Sequence, residues 1–511
     1  MARPVVNVYM DLAGDGGFAT NVTSYLVAAS WQLGFTAPFE AMARDSTATV
    51  MLVNTDRRFS PEYSIGPYYG TLTTGKAIKI TTTYLTVTRT MFIGWMQSFI
   101  PASGVNGSRQ CEVDCNGWTQ RAELAESVIP LQLEKRADEV ITTILENSAV
   151  YPAGFAGFWL LGSGLLGQTT KLGSTSSYLI ADQGQTTFAY SGDWAAGTSV
   201  YAAILEMAQR EAGRVFISRD GLIYFYDRHH LISNQTSLST LANQTVSLAY
   251  SYGSDIANYI TVQYEPRVTG TAGSTLATLS DAVKLEPNVE TLVSFRFTAA
   301  ASGATVSAAT VITPVINTDY TANTIDDGTG IDTTSYVTLT VQQTSASEIT
   351  IAFTSTYTDN VFLLATTKVR GTPLTSYGMQ TYVSQDETSI LAYGKRALQL
   401  SGKQDSLQDA TTLGDFQKLL RYNPVGKLSS ALFNALDTNN TVAVLARTIG
   451  DRVTITDTMT SATGDWFIIG EQHNVSVSSY TADWLLEDAG ASAYWSIGNS
   501  TLGISTALAP L

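Results

Sequence analysis

The sequence predicts a mainly β protein with a smaller α+β part, and three observations carry that expectation. Runs rich in β-branched and aromatic residues dominate both ends of the chain, as in TATVMLVNTD (47–56) and GDWFIIGEQHNVSVSSY (464–480). Helical periodicity is confined to a few short stretches between them. More than half of residues 268–374 are Thr, Ser, Ala or Val, with short alternating runs such as VTLTVQQT and EITIAFTS, which read as an inserted, Ig-like β-sandwich.

Residues 1–130 read as an antiparallel β domain, completed by strands near 245–267. Its segments 47–56 and 76–99 have partial strand alternation, and FSPEYSIGPYYG (59–70) lies between them. Pro61, Gly66, Pro67 and Gly70 make that stretch dense in turn formers, so the local order is strand, long ordered loop, strand. Residues 131–245 read as an α+β middle domain. ADEVITTILEN (137–147) has an acidic first turn and one apolar face of Val140, Ile141, Ile144 and Leu145. TSVYAAILEMAQREAG (198–213) repeats the logic, with Thr198 or Ser199 as cap and Gly213 as terminator. The irregular apolar insertion at 151–193 separates the two. RVFISRDGLIYFYDRHH (214–230) reads as a hairpin turning at Asp220-Gly221, and ANYITVQYEPR (257–267) as a further strand. Beyond the sandwich, residues 375–511 carry helical patterns at 387–400 and 413–423, then the closing strands.

Charge and composition narrow the function. The 511 residues include 14% charged and 44% hydrophobic side chains, with a net charge of −15. Such an acidic surface repels phosphate backbones and argues against tight nucleic-acid binding. The two cysteines, Cys111 and Cys115, would share one face of a strand with Cα atoms ~13 Å apart at the usual strand rise, too far for a disulfide. They are expected as buried, reduced thiols. The N-terminus carries no signal-peptide pattern, and FAGFWLLGSGLL (155–166) is shorter than the ~20 apolar residues that span a bilayer. No transmembrane helix is expected.

Catalytic patterns are sparse. His229 and His230 are adjacent and would point to opposite faces of a strand, which argues against a shared metal. Glu471 and His473 share a strand face and could form an acid–base pair, although no nucleophile motif accompanies them; the plainer reading is a strand residue at a surface or interface. NTIDDGTGID (323–332) is oxygen-rich but lacks the spacing of a calcium loop and reads as solvated. No phosphate loop, nucleophile elbow or dinucleotide fingerprint occurs. No enzyme, metal or cofactor is expected.

Several segments, in order, resemble the hub proteins at the distal end of long phage tails, also called baseplate hub or tail-tip proteins. The resemblance rests on LVNTDRRFSPEYSIGPYYGTLTTGKAIKI, ADEVITTILENSA, SVYAAILEMAQREAGRVFISRDGLIYFYDRHH, SDIANYITVQYEPR, SILAYGKRALQL and the closing IGDRVTITD, GDWFIIGEQHNVS and TADWLLE. It leaves out 151–193 and 268–374. It implies two hub-type β-barrels per subunit, one at each end of the chain, and a homotrimeric ring of pseudo-sixfold symmetry continuing the tail tube. Implied partners are the distal tail or tube protein, the tape-measure protein and tip or fibre proteins, with DNA passing without specific binding. The implied location is the virion tail, assembled in the host cytoplasm.

Under that resemblance Asn54, Asp56, Arg57, Phe59, Pro61, Tyr68 and Tyr69 form a scaffold loop, in which Asp56 with Arg57 or Arg58 either fixes the turn or bridges subunits, or is a solvated pair with neither role. Phe155, Phe158, Trp159, Leu160, Leu161, Leu165 and Leu166 are candidates for closing the channel, gripping the tape measure or touching the host membrane, against the plainer reading of a buried subunit contact. The alternative class is a carbohydrate-binding or glycan-degrading tail protein contacting the host surface. The sandwich would present its glycan surface, but its aromatics are few (Phe295, Phe297, Tyr320, Tyr336, Phe353, Tyr357, Phe362), with no tryptophan.

Overall fold

Strands from the two ends of the chain share one thirteen-stranded sheet. The computed structural model describes residues 3–104, 107–148, 178–195, 197–234, 236–242, 245–298 and 306–489, with the backbone of the short strands Tyr494–Trp495 and Ala507–Leu508. The chain is mainly β with a smaller helical part.

The N-terminal strands run Val5–Asp11, Ala77–Tyr84, Val87–Pro101, Gln110–Asn116, Thr47–Val53 and Leu26–Gly34 across the sheet. There Leu26–Gly34 meets the C-terminal strand Ala462–Ser476, antiparallel from Ala28↔Ser476 to Gly34↔Gly470. Tyr480–Asp488, Gly426–Asn434 and Ser247–Tyr252 follow. Alternation decides which side chains face the shared core: Ala48, Val50 and Leu52 on one strand, and Cys111, Val113 and Cys115 on its neighbour, are all buried. At the seam, Gly34 has φ +94°, and a Cβ there would lie 2.4 Å from the Ile469 carbonyl oxygen. Only glycine lets the two backbones approach so closely.

The strands expected near 245–267 find other partners. Ser247–Tyr252 pairs with Gly426–Asn434, and Tyr259–Tyr264 pairs with Gln380–Gln385 and Ala397–Gln404 in a separate three-stranded sheet. Helix Leu407–Arg421 packs on that sheet through Ala410 and Leu413, against Ile260 and Val262.

A second core gathers helices Ala137–Asn147 and Val200–Glu211 with the hairpin Arg214–Ile217 and Ile223–Tyr226. Ser199 caps the second helix by accepting the Ala202 N–H at 3.2 Å. The left-handed residue at its end is Ala212, φ +54°, rather than Gly213. Gly213 is instead a close-approach position, where a Cβ would meet the Tyr226 carbonyl oxygen at 2.6 Å.

Three expectations are corrected. The helix expected over 387–400 stops at Tyr393, and Ala397–Gln404 is a strand parallel to Tyr259–Tyr264. Its alternation in ALQLSGKQ sets Leu398 and Leu400 on one face, and sheet pairing outweighs the helical reading. The helix expected from 413 starts at Leu407, because Ser406 accepts the Asp409 N–H at 3.1 Å and caps it there. His229 and His230 follow the hairpin rather than lie on it; His230 begins the short helix His230–Ser233.

Residues 268–374 fold around their own core, which includes Leu276, Leu285, Phe295, Phe297, Ile351, Phe353, Val361 and Val369. Among the described residues, six strands of five or more residues and four shorter ones form three small sheets. The chain enters and leaves side by side, since Arg267 stands opposite Ser376. The 323–332 loop spends its polar groups on itself: the Asn323 amide donates to the Gly328 and Gly330 carbonyls at 3.2 Å each, and Asp327 and Asp332 accept the Thr329 and Thr334 N–H groups.

Candidate functional site: the inter-strand loop and its supports

The loop between Thr47–Val53 and Ala77–Tyr84 is a train of turns. N–H groups of Arg57, Ser60, Tyr63, Gly66 and Tyr69 donate to the carbonyls of Asn54, Arg57, Ser60, Tyr63 and Gly66, each three residues back, at 2.8–3.2 Å. Pro61 and Pro67 occupy the second positions of two of these turns, where a fixed φ fits and no N–H is needed. The sequence therefore dictates the loop's path locally.

Asn54 anchors its start. Buried, it accepts the Phe59 N–H at 2.9 Å and donates to Ser60 Oγ at 3.1 Å, while its own N–H donates to the Arg109 carbonyl at 2.6 Å. Phe59 plugs the core edge-on to Tyr25 (5.6 Å), with Tyr68 packed on it at 5.8 Å, and its carbonyl faces the Cys111 thiol at 3.3 Å. Asp56 pairs with Arg58 at 2.5 Å, and the hydrogen bonds from Arg58 hold its carboxyl below the usual range. The Arg58 guanidinium lies over the Tyr25 ring at 4.1 Å. Arg57, at φ +61°, stacks instead on Tyr63 at 4.0 Å. Pro61 is half-buried. Among the residues the loop leaves to solvent are Glu62, Ile65 and Tyr69, the last two 79% and 55% exposed. The candidates Phe155, Phe158, Trp159, Leu160, Leu161, Leu165 and Leu166 lie outside the described residues.

The Glu471–His473 pair sits elsewhere, sealed in the interior at the seam, which corrects its expected surface or interface position. Arg219, at the tip of the 214–226 hairpin, reaches into the sheet. Its Nε donates to Glu471 Oε1 at 2.6 Å, its Nη2 pairs with Oε2, and its Nη1 donates to the Leu445 carbonyl at 2.7 Å. His473 bridges Glu471 (3.3 Å) and the Tyr480 hydroxyl (3.2 Å) and stacks on Trp31, centroids 5.0 Å apart. Burial alone would raise the Glu471 carboxyl, but the Arg219 charge and the hydrogen bonds hold it at about 2. Burial pushes the His473 imidazole down against the pull of Glu471. Both ring nitrogens are engaged, so the pair fastens the hairpin to the seam. Sequence reasoning missed Arg219 because nothing in SRDG marks a residue aimed into a distant sheet.

A second ionic knot sits where the chain enters the 268–374 segment. Asp405 receives Arg210 at 2.7 Å and Arg267 at 2.5 Å; Arg267 also pairs with Asp193, and Arg210 donates to the Tyr190 carbonyl at 3.0 Å. Both arginines and Asp405 are buried. Breaking such a knot on one side strands a buried charge. It ties the Val200–Glu211 helix, the Ala397–Gln404 strand end and the entry to that segment together. Among the described residues, no group of three or more His, Cys, Asp or Glu side chains could hold a metal, and no helix is long and apolar enough to cross a membrane.

No protein-family model and no curated protein matches the chain. Among solved structures, it is similar to the tail protein from Neisseria meningitidis MC58, with a TM-score of 0.49 and 8% identity over 96% of this chain and 98% of that one. It is similar to the 43 kDa tail protein of prophage MuSo2 from Shewanella oneidensis, TM-score 0.48, 7% identity, covering 95% and 99%. An E. coli component of the type VI secretion system that exhibits structural similarity to the T4 tail proteins gp27 and gp5 gives TM-score 0.37, 7% identity, covering 91% and 73%.

Proposed function

We propose that this chain is a structural protein of a phage tail, a hub at the distal end whose copies associate as a homotrimeric ring and join the tail tube to tip or fibre proteins. The observation that carries the reading is the seam. The segments whose ordered motifs resemble tail hubs, at opposite ends of the sequence, are one continuous sheet around one core. That architecture suits a load-bearing platform. The loop at 54–75 is internally locked and offers Glu62, Ile65 and Tyr69 for contact with neighbours.

In this reading the ring encloses the path of DNA and of the tape-measure protein, and the net charge of −15 keeps DNA from adhering. Residues 155–166 close or line that path, and deleting them tests it through the permeability of assembled tails. The role is structural rather than catalytic.

The test is the mass of the purified protein by light scattering, with negative-stain images of the same sample. Three-subunit rings with an axial opening or plug support the hub. A monomer that forms no ring, either alone or when mixed with its tail-tube protein, refutes it.

A second reading rests on Tyr336, 45% exposed on the sandwich and packed edge-on to Tyr357 at 5.1 Å. Such an aromatic pair suits a sugar face. Glycan-array binding abolished by Tyr336→Ala would favour host-surface recognition through the sandwich.

A further inference from the structure

A cleft of about 540 Å³ opens where the 36–44 loop, helices Val200–Glu211 and Leu407–Arg421, and strand Ala397–Gln404 meet. Its volume falls within the roughly 300–1,000 Å³ of small-molecule sites. Leu205, Leu400, Leu413 and Phe416 supply apolar wall. The polar floor is incompletely paired. Arg421 stacks its guanidinium on Phe39 at 3.7 Å, yet it makes no ion pair with any described residue, and its Nε is buried without a hydrogen-bond partner. Carboxylates lining the cleft are already engaged: Glu487 takes Arg214 at 2.5 Å through Oε1 and the Phe39 N–H at 2.8 Å through Oε2, Glu40 accepts the Thr36 N–H at 2.8 Å, and Asp227 accepts the His229 N–H at 3.0 Å. Arg214 Nη1 is also buried without a partner. So is Gln417 Oε1, one helical turn before Arg421 and therefore on the same face. Phe39 holds the stack from a left-handed backbone, φ +65°.

Arg421 is half-buried and carries one buried donor, Nε, without a partner, which is costly, and burial depresses its guanidinium to about 10. Glu40, Asp227, Glu487 and Asp488 line the cleft, yet among the described residues none of them forms an ion pair with Arg421. We infer that this cleft is a binding site for a carboxylate carried on an apolar body and flanked by an amide N–H. Arg421, with Arg214, takes the carboxylate; Gln417 Oε1 takes the N–H; the leucines and Phe416 take the body. An N-acyl amino acid and the C-terminal residue of another polypeptide share this chemistry. The inference does not depend on the hub reading.

The test is calorimetry on the full chain with N-acetyl-leucine, N-acetyl-leucinamide and N-acetyl-Gly-Gly-Leu, with thermal unfolding of the same mixtures. The free acid should bind at least tenfold more tightly than its amide and raise Tm. Arg421→Gln should abolish the difference, and Arg421→Lys should keep only part of it. Without ligand, Arg421→Gln should unfold no earlier than the parent, because it removes an uncompensated charge. If N-acetyl-Gly-Gly-Leu binds as well as N-acetyl-leucine, the natural source is a polypeptide terminus; if it is excluded, the source is a small acid. Equal response to acid and amide, absence of binding, or full discrimination by Arg421→Gln would each overturn the assignment.

Discussion

Replacing Arg219 by methionine should destabilise the seam by about 3–5 kcal/mol, the usual cost of removing one partner from a buried ion pair. The geometry supports the upper half of that range. Arg219 and Glu471 side chains are only 7% and 0% exposed, so solvent screens neither, and Arg219 also satisfies the Leu445 carbonyl. The loss should depend on pH. In the parent, Glu471 is held at about 2, below its unfolded value of ~4.3, so its stabilisation is present above the unfolded value and lost only as pH falls toward 2. His473 is also depressed, so its contribution is complete above ~6.5 and declines as pH falls below that. Without Arg219, Glu471 becomes a lone buried carboxylate beside His473, and a proton taken up by either group relieves it. The destabilisation should therefore be largest near pH 8 and clearly smaller near pH 5.5. Urea unfolding at both values, with hydrogen exchange followed in the Ala462–Ser476 strand, measures it locally. A loss below about 1 kcal/mol, or one equal at both pH values, would refute the account of this pair as a charge-compensated pin.

Asn54→Ala leaves the buried Phe59 N–H without its acceptor and should cost about 1–3 kcal/mol, read as a lowered urea midpoint with faster proteolysis within 54–75. Burial pushes the Cys111 thiol up to about 11 and Cys115 higher still. At pH 8 only about one Cys111 in a thousand is then thiolate, so modification by a disulfide reagent should follow unfolding rather than precede it. Replacing 270–373 by a short Gly-Ser turn should leave the remaining chain folded, since Arg267 and Ser376 are already paired and the sandwich core is its own. Circular dichroism and solution mass compared with the parent check this, and a shortened chain that precipitates or unfolds would contradict it.

Local chemistry was legible in the sequence wherever it decided structure. The Ala137–Asn147 helix, the 214–226 hairpin, the separate β core of residues 268–374 and the proline-set turns of the 54–75 loop all follow from periodicity, caps and turn residues. Long-range partnership was not. LQL in Ala397–Gln404 suits a helix or a strand until Tyr259–Tyr264 lies beside it, and Leu26–Gly34 does not announce Ala462–Ser476 as its neighbour. Polar side chains followed the same division. Asp56 found its partner two residues away, whereas Arg219, Arg267 and Arg421 acquire meaning only from residues far along the chain.

The seam also sets a timetable for the newly made chain. Ala28 cannot meet Ser476 until 448 more residues have been added, about 20–90 s at ribosomal speeds of ~5–20 residues per second. Through that interval the Leu26–Gly34 strand, with Trp31 and Leu33, has an unpaired edge. The first strands to be synthesised are thus among the last to be completed. Newborn copies crowded on one message are exposed to wrong pairing with each other, and slower elongation lengthens that exposure.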